Sequence, residues 1–310
     1  MEIHLGKLPF DLDFHPSTPL VTVGLITGDL HLYRYAADSQ PQRLLEINAH
    51  SESCRAIRFI NEGHAILTCS PDCSILATDV ETGTAIARFE DAHDAAVNRL
   101  VNITETTIAS GDDDGCIKVW DTRQQSCCNS FNAHEDYISD MTFSADSMKL
   151  LGTSGDGTLS VCSLRRNKVL TRSEYSEDEP LSVVIMKLDE DRVITGSENG
   201  LISLVGILPN RLIQPIAEHS EHPVERLAFS HDRKFLGSIS HDQMLKLWDL
   251  DHLLVGVHGN AANSQAVGTD SDSDSDDMNL DDIKPPPKSS SGKMGQPFNN
   301  ASSSFFADLQ

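Results

Sequence analysis

Four histidines, His50, His93, His134 and His219, recur along the chain with hydroxyl residues and aspartates at similar distances after them. Imidazole, hydroxyl and carboxylate are the parts of a metal site, or of a nucleophile with its base. The spacing argues against both. The histidines recur once per repeat unit, so each belongs to its own unit and they do not converge on one ion. Cys69 and Cys73 flank a turn and form one loose pair, whereas tetrahedral zinc wants two close pairs. The carboxylates of Asp112–Asp114 sit in a Gly-ended turn, and turn chemistry explains them. The chain has no Gly-x-Ser-x-Gly, no Gly-x4-Gly-Lys-Ser/Thr and no Gly-x-Gly-x-x-Gly. No catalysis, metal or cofactor is therefore expected. One further group stands out: Arg123, at the end of Trp120-Asp121-Thr122-Arg123. A guanidinium at the rim of a fold can make a bidentate bond to a partner's carboxylate.

The elements that must position these groups are short strands. Around Arg123, a β-prone run Thr107–Gly111 and a second one, Cys116–Asp121, are joined by the Asp114-Gly115 turn, which reads as a hairpin. The unit repeats. The Trp120 position is filled by Tyr33, Thr78, Trp120, Cys162, Val205 and Trp248, at spacings of 45, 42, 42, 43 and 43 residues. That period, with four short strands per unit, fits the blades of an all-β propeller. Strands are expected at Ala96–Ile103, Thr107–Gly111, Cys116–Asp121 and Cys127–Asn132 in the third unit. In the sixth they fall at Val224–Ser230, Phe235–Ser240 and Met244–Leu250, with only a weak fourth at Leu253–Val257. Glu2–Leu5 is a short strand ahead of the first unit, and closing the ring gives it a place as the outer strand of the last blade.

The 310 residues carry a net charge of −23 with a pI near 4.7. An acidic surface repels phosphate backbones and suits basic protein partners, so direct nucleic-acid binding is not expected. Seven cysteines, an odd count without paired spacing, and no signal peptide point to a reducing intracellular compartment. No apolar run approaches the length of a membrane span. Residues 1–258 read as the propeller. Residues 259–310 read as a disordered acidic, Ser-rich tail. Ser271, Ser273 and Ser275 alternate with aspartates there and are candidate phosphorylation sites, against the plain reading of a solvating linker. Lys284-Pro-Pro-Pro-Lys288 is a poor nuclear-import signal, and Phe305-Phe306-Ala307-Asp308-Leu309 is an apolar island at the end.

With the repeat established, the chain resembles the WD-repeat β-propellers. His93, Ser110, Asp114 and Trp120 match that family's pattern, and His219, Ser238, Asp242 and Trp248 repeat it. The resemblance implies a buried hydrogen-bonded network of these four side chains in each blade. The second unit keeps His50, Thr68 and Asp72 but has Thr78 for Trp; the fourth keeps His134 and Asp156 but has Cys162; the fifth has Thr195 and Asn199 and no His. The phrases Gly24–Tyr33 and Leu204–Arg211 are similar to one subgroup of the family, its plant form above all, over residues 1–257 and in the tail. Members of that subgroup look like seven-bladed rings, and here six units are found, with about one unit missing between Lys187 and Leu188. Six blades could close, or leave a gap, or mark a splice or gene-model variant.

Two roles are implied by the resemblance. Ile108, Ala109, Ser110, Asp114, Ile117, Val119, Trp120, Asp121 and Arg123 resemble the box with which some WD-repeat proteins dock on the damaged-DNA-binding adaptor of cullin-4 ubiquitin ligases. The competing reading is that these residues only build a good blade and Arg123 pairs with a neighbouring acid. The subgroup also implies a nucleolar factor in ribosome assembly and rRNA processing that organises basic or pre-ribosomal proteins, in a nuclear and nucleolar location with some cytoplasmic pool.

Overall fold

Runs of Val, Ile, Leu and Thr broken by Asp, Asn and Gly turns favour short pleated strands over helix. A computed structural model describes residues 1–145, 148–173, 184–207 and 211–259, and its strands build a six-bladed β-propeller. Blade I is β2 (Pro9–Phe14), β3 (Leu20–Leu25), β4 (Asp29–Ala36) and β5 (Ser39–Asn48). Blade II is β6 (Ala56–Ile60), β7 (Ala65–Cys69), β8 (Ile75–Asp79) and β9 (Ala85–Phe89). Blade III is β10 (Val97–Thr104), β11 (Thr107–Asp112), β12 (Cys116–Asp121) and β13 (Ser126–Asn132). Blade IV is β14 (Ile138–Ser144), β15 (Lys149–Ser154), β16 (Leu159–Ser163) and β17 (Lys168–Arg172). Blade V is β18 (Val184–Lys187), β19 (Arg192–Gly196), β20 (Leu201–Gly206) and β21 (Arg211–Glu218). Blade VI is β22 (Val224–Phe229), β23 (Phe235–Ser240) and β24 (Met244–Asp249), completed by β1 (Glu2–His4).

The N-terminal strand therefore joins the two ends of the chain. Ile3 lies opposite Leu245, and the Met1 ammonium donates to the Leu247 carbonyl at 2.7 Å. Because β1 already pairs the free edge of β24, the weak strand expected at Leu253–Val257 has no edge to join. The chain instead continues as helix α1 (Leu250–Gly259).

Each tight turn between the second and third strands needs one residue in left-handed backbone. Glycine fills it at Gly28, Gly115, Gly157 and Gly200, while Cys73 and Gln243 adopt it at φ 63° and 64°. Gly115 is needed twice over: a Cβ there would meet the His134 carbonyl of the next blade. That contact is a joint, since Ala133 and His134 both donate their N–H groups to the Gly115 carbonyl.

Apolar clusters fill the joints between blades VI and I, I and II, II and III, III and IV, and V and VI. In the II/III joint Ile75, Val97 and Ile108 are almost wholly buried, and each such side chain contributes about 1.5–3 kcal/mol. Among the described residues no comparable cluster lies between blades IV and V. The repeat pattern places the missing unit just beyond that joint, between Lys187 and Leu188 inside blade V. Here β18 ends at Lys187 and the chain turns directly into β19 at Arg192, so a four-stranded sheet still forms.

The axis of the ring is charged. Asp11, Arg58, Arg99, Asp140 and Arg226 hold the third place of the first strand in blades I, II, III, IV and VI. Asp11, 1% exposed, accepts from Arg58 Nη1 at 2.6 Å and from the Ile57 amide at 3.0 Å, and pairs with Arg226 Nε at 3.2 Å. Arg226 also reaches Asp140 at 3.3 Å, and Arg99 donates to the Ser139 carbonyl at 2.7 Å. Burial alone would raise the Asp11 carboxyl, but Arg58, Arg226 and Arg99 outweigh it and hold it below its ordinary range. For neighbouring Asp13 burial prevails over Arg58 and pushes the carboxyl up to about 6.

Candidate functional site

The histidines stay apart, one per blade, as their spacing requires. In blade III His93 bonds Asp112 through Nδ1 and Ser110 through Nε2, both at 2.6 Å, and Trp120 Nε1 donates to Ser110 Oγ at 2.7 Å. The proton pattern follows. Asp112 accepts the Nδ1–H, which leaves Nε2 to accept the Ser110 hydroxyl proton, and Ser110 keeps a lone pair for the indole N–H. Blade VI repeats this with His219, Asp242 at 2.8 Å, Ser238 at 2.7 Å and Trp248 at 2.8 Å. Burial holds His219 below the ordinary imidazole range despite its aspartate, consistent with a neutral ring.

One residue of the expected network is corrected. The family spacing selects Asp114, but Asp114 is exposed and Asp112 bonds His93. Asp112 is 3% exposed and also accepts the turn amides of Asp114 at 3.1 Å and Cys116 at 2.8 Å. Three consecutive aspartates offered this choice. Asp112 lies inside the sheet, paired with Val97 in the register of β10 and β11, whereas Asp114 lies out in the turn.

Blades II and IV keep the His–Asp pair without a tryptophan. His50 bonds Thr68 at 2.8 Å and Asp72 at 3.1 Å; His134 bonds Ser160 at 2.8 Å and Asp156 at 3.2 Å. In both blades an arginine from the outermost strand braces the aspartate: Arg88 to Asp72 at 3.1 Å, and Arg172 to Asp156 at 2.6 Å. Reading the sequence for the Trp position alone missed these braces. Their signal was there, an Arg sixteen residues after the Asp in both of these blades. In blade V the Asn199 side chain accepts the Leu201 amide at 3.3 Å in the hairpin turn.

His93, Asp112 and Cys116 bring ligand atoms within 4.8 Å of one another. Both imidazole nitrogens are already engaged, and Cys116 stands where the His–Asp pairs of blades II and IV have Ser74 and Thr158, each bonded to the same nitrogen of its histidine. The trio is this blade's version of a structural set. Cys69 and Cys73 each donate to a backbone carbonyl instead, of Val97 and Pro71.

Of the docking box, Ile108 and Trp120 are buried in the II/III joint, where Trp120 lies 5.1 Å from the Phe89 ring. Asp121 caps the turn after β12. Its Oδ1 accepts the amides of Arg123 at 2.9 Å and Gln124 at 3.2 Å. Asp79 does the same in blade II, so Asp121 is first a turn residue. Hydrogen bonds from Arg123 hold the Asp121 carboxyl below its usual range. Arg123 itself is 69% exposed and pairs only with Asp121, at 3.2 Å, among the described residues. An exposed pair of this kind contributes little to stability, so the guanidinium is easily released to another carboxylate. Beside it lies an apolar recess of about 240 Å³ between blades II and III, lined by Ile60, Leu67, Phe89 and the exposed Ile86. Ser271, Ser273 and Ser275 lie outside the described residues.

The family model for the WD domain, G-beta repeat, matches residues 83–121, 125–163 and 211–249. WD repeat-containing protein 55 of Arabidopsis thaliana is 56% identical, covering 87% of this chain and 88% of its own. Its Dictyostelium discoideum homolog is 34% identical over 80% and 70%, and the Homo sapiens protein 32% identical over 78% and 74%. The Arabidopsis alignment runs over 313 residues but covers 87% of 310, which is about 270, so about 43 positions of the relative have no counterpart here. That is one blade's length. Set beside the six-bladed ring and its repeated His–Ser–Asp networks, these similarities show that the chain belongs to the WD repeat-containing protein 55 family of WD-repeat propellers.

Proposed function

We propose that this protein is a non-catalytic interaction scaffold that docks, through the edge at Asp121 and Arg123, on the damaged-DNA-binding adaptor of a cullin-4 ubiquitin ligase. The observation that carries the reading is Arg123. The blade does not need it, it is 69% exposed, and it stands at the mouth of an apolar recess. A releasable guanidinium beside an apolar slot is the composition of an interface anchor. Asp121 sets the turn that presents it, and Ile108, Asp114 and Trp120 frame the blade. Arg123→Ala is expected to lower adaptor recovery in affinity purification about tenfold, while the thermal midpoint moves by no more than about 2 °C. Equal recovery with a folded variant would sink the proposal.

The net charge of −23 favours a second role as a nuclear and nucleolar ribosome-assembly factor that organises basic pre-ribosomal proteins, with some cytoplasmic pool. Depletion is then expected to leave unprocessed pre-rRNA, read on a blot; normal processing would count against it.

A further inference from the structure

A groove of about 1150 Å³ runs across blades I, II and III. It lies on the face that carries the turns after the first and third strands of each blade, the face of Arg123. Leu20, Leu44, Leu45, Ile60 and Val80 give it an apolar, half-buried floor above fully buried Leu32. Isolated apolar side chains on a surface need no explanation, but a contiguous concave strip drawn from blades I and II does.

The walls of the groove are built. Between β6 and β7, Asn61, Glu62 and Gly63 follow one another in left-handed backbone at φ 53°, 56° and 93°. Such residues cost of order 1–3 kcal/mol each when they are not glycine and persist only where the surroundings hold them. The holding group is His15, 8% exposed. Its Nδ1 accepts the Ser17 and Thr18 amides at 3.1 and 3.0 Å, and its ring stands edge-on to Phe59 at 5.1 Å. A Cβ on Gly63 would overlap that ring. The turns of blades I and II are thus locked together around the groove, which exists before any partner arrives.

Around the lip stand Glu62, Glu81 and Glu105, all exposed, and none of the three carboxylates is ion-paired among the described residues. Arg34 and His64 also reach the lip, leaving carboxylates in the majority. We propose that this groove, which adjoins the Arg123 recess and shares Ile60 and Glu105 with it, is a second docking site, for a basic amphipathic helix of a partner protein. Its leucine-like face lies on the floor, and its lysines or arginines meet Glu62, Glu81 and Glu105. The helix-in-groove mode needs apolar anchors one turn apart, and the acidic lip sets the sign of the flanking charges. A phosphate backbone would meet the same carboxylates with repulsion.

The test uses the full chain and a fluorescein-labelled sixteen-residue peptide of leucine and lysine, with leucines at i, i+3, i+4 and i+7. Anisotropy is read in 150 mM salt. A peptide of the same composition, scrambled so that its leucines share no face, is expected to bind at least tenfold more weakly to the native chain. Glu62→Lys together with Glu81→Lys is expected to weaken the amphipathic peptide at least tenfold. Glu198→Lys with Glu221→Lys, the same change of net charge on exposed residues of blades V and VI, is expected to change it less than twofold. Arg123→Ala is expected to leave peptide affinity unchanged, which separates this site from adaptor docking. Equal binding of ordered and scrambled peptides overturns the proposal, and needs no variant to fold. Equal loss in the two double variants overturns it as well, since bulk charge would then explain the binding.

Discussion

Asp11→Ala is expected to lower the stability of the ring by about 3–5 kcal/mol, the cost of removing one partner from a buried ion cluster. Asp11 ties three blades at the axis. It takes the Arg58 guanidinium and the Ile57 amide from blade II, and pairs with the Arg226 guanidinium from blade VI. Without it two arginines remain side by side near the axis and a buried N–H loses its acceptor. Urea unfolding measures the loss; a change below about 1 kcal/mol would show that the cluster is solvated and contributes no more than a surface pair. Replacing Asp11, Arg58 and Arg226 together by apolar residues is expected to cost less than Asp11→Ala alone, because the buried charges then leave together and Asp140, which loses Arg226, is half-exposed and solvated. The pH dependence has a definite sign. The Asp11 carboxyl is held below its unfolded value, so its contribution is present above the ordinary carboxylate pKa and is lost as pH falls through the lower, folded value. Asp11→Ala should therefore flatten the acid limb of the stability curve.

Asp112→Ala is expected to cost about 2–4 kcal/mol, while Asp114→Ala stays within about 0.5 kcal/mol of the native chain. The first removes the acceptor of a buried imidazole N–H, and with it the acceptor for two turn amides. The second removes an exposed carboxylate. Chemical denaturation of the two variants side by side decides which aspartate closes the blade III network. A larger loss for Asp114→Ala would restore the family spacing and overturn the assignment to Asp112.

The repeat was legible because every blade solves the same local problem with the same residue types. A β-prone run, a turn residue tolerant of left-handed backbone and a second run recur with the period, so the third and sixth units were placed to within a residue or two at nearly every strand end. The His–Ser–Trp sets were legible for the same reason. Asp112 was not, because three adjacent aspartates are interchangeable to a pattern and only their position relative to the sheet separates them. The axial charges had a signal too, one charged residue at the same place in five first strands. It went unread because a charge within a short strand ordinarily marks a solvated face. The Arg88 and Arg172 braces were hidden because nothing in the repeat requires an arginine on an outer strand.

Arg123 shows the boundary between the two kinds of knowledge. Its position at a strand end was plain from the residues, but whether a neighbouring acid consumed it was not. The pairing with Asp121 is local and exposed, and the apolar recess beside it comes largely from blade II. What the chain's order determined by itself is the period, the strands, the turns and the candidate networks, since these depend on residues near one another in the chain. Tertiary structure alone decided that β1 completes blade VI and that Asp11, Arg58 and Arg226 meet. It also decided that the joint between blades IV and V lacks the apolar cluster of the others among the described residues. The physical reason is sequence distance. Those contacts join residues tens to hundreds of positions apart, and only closing the ring brings them within reach.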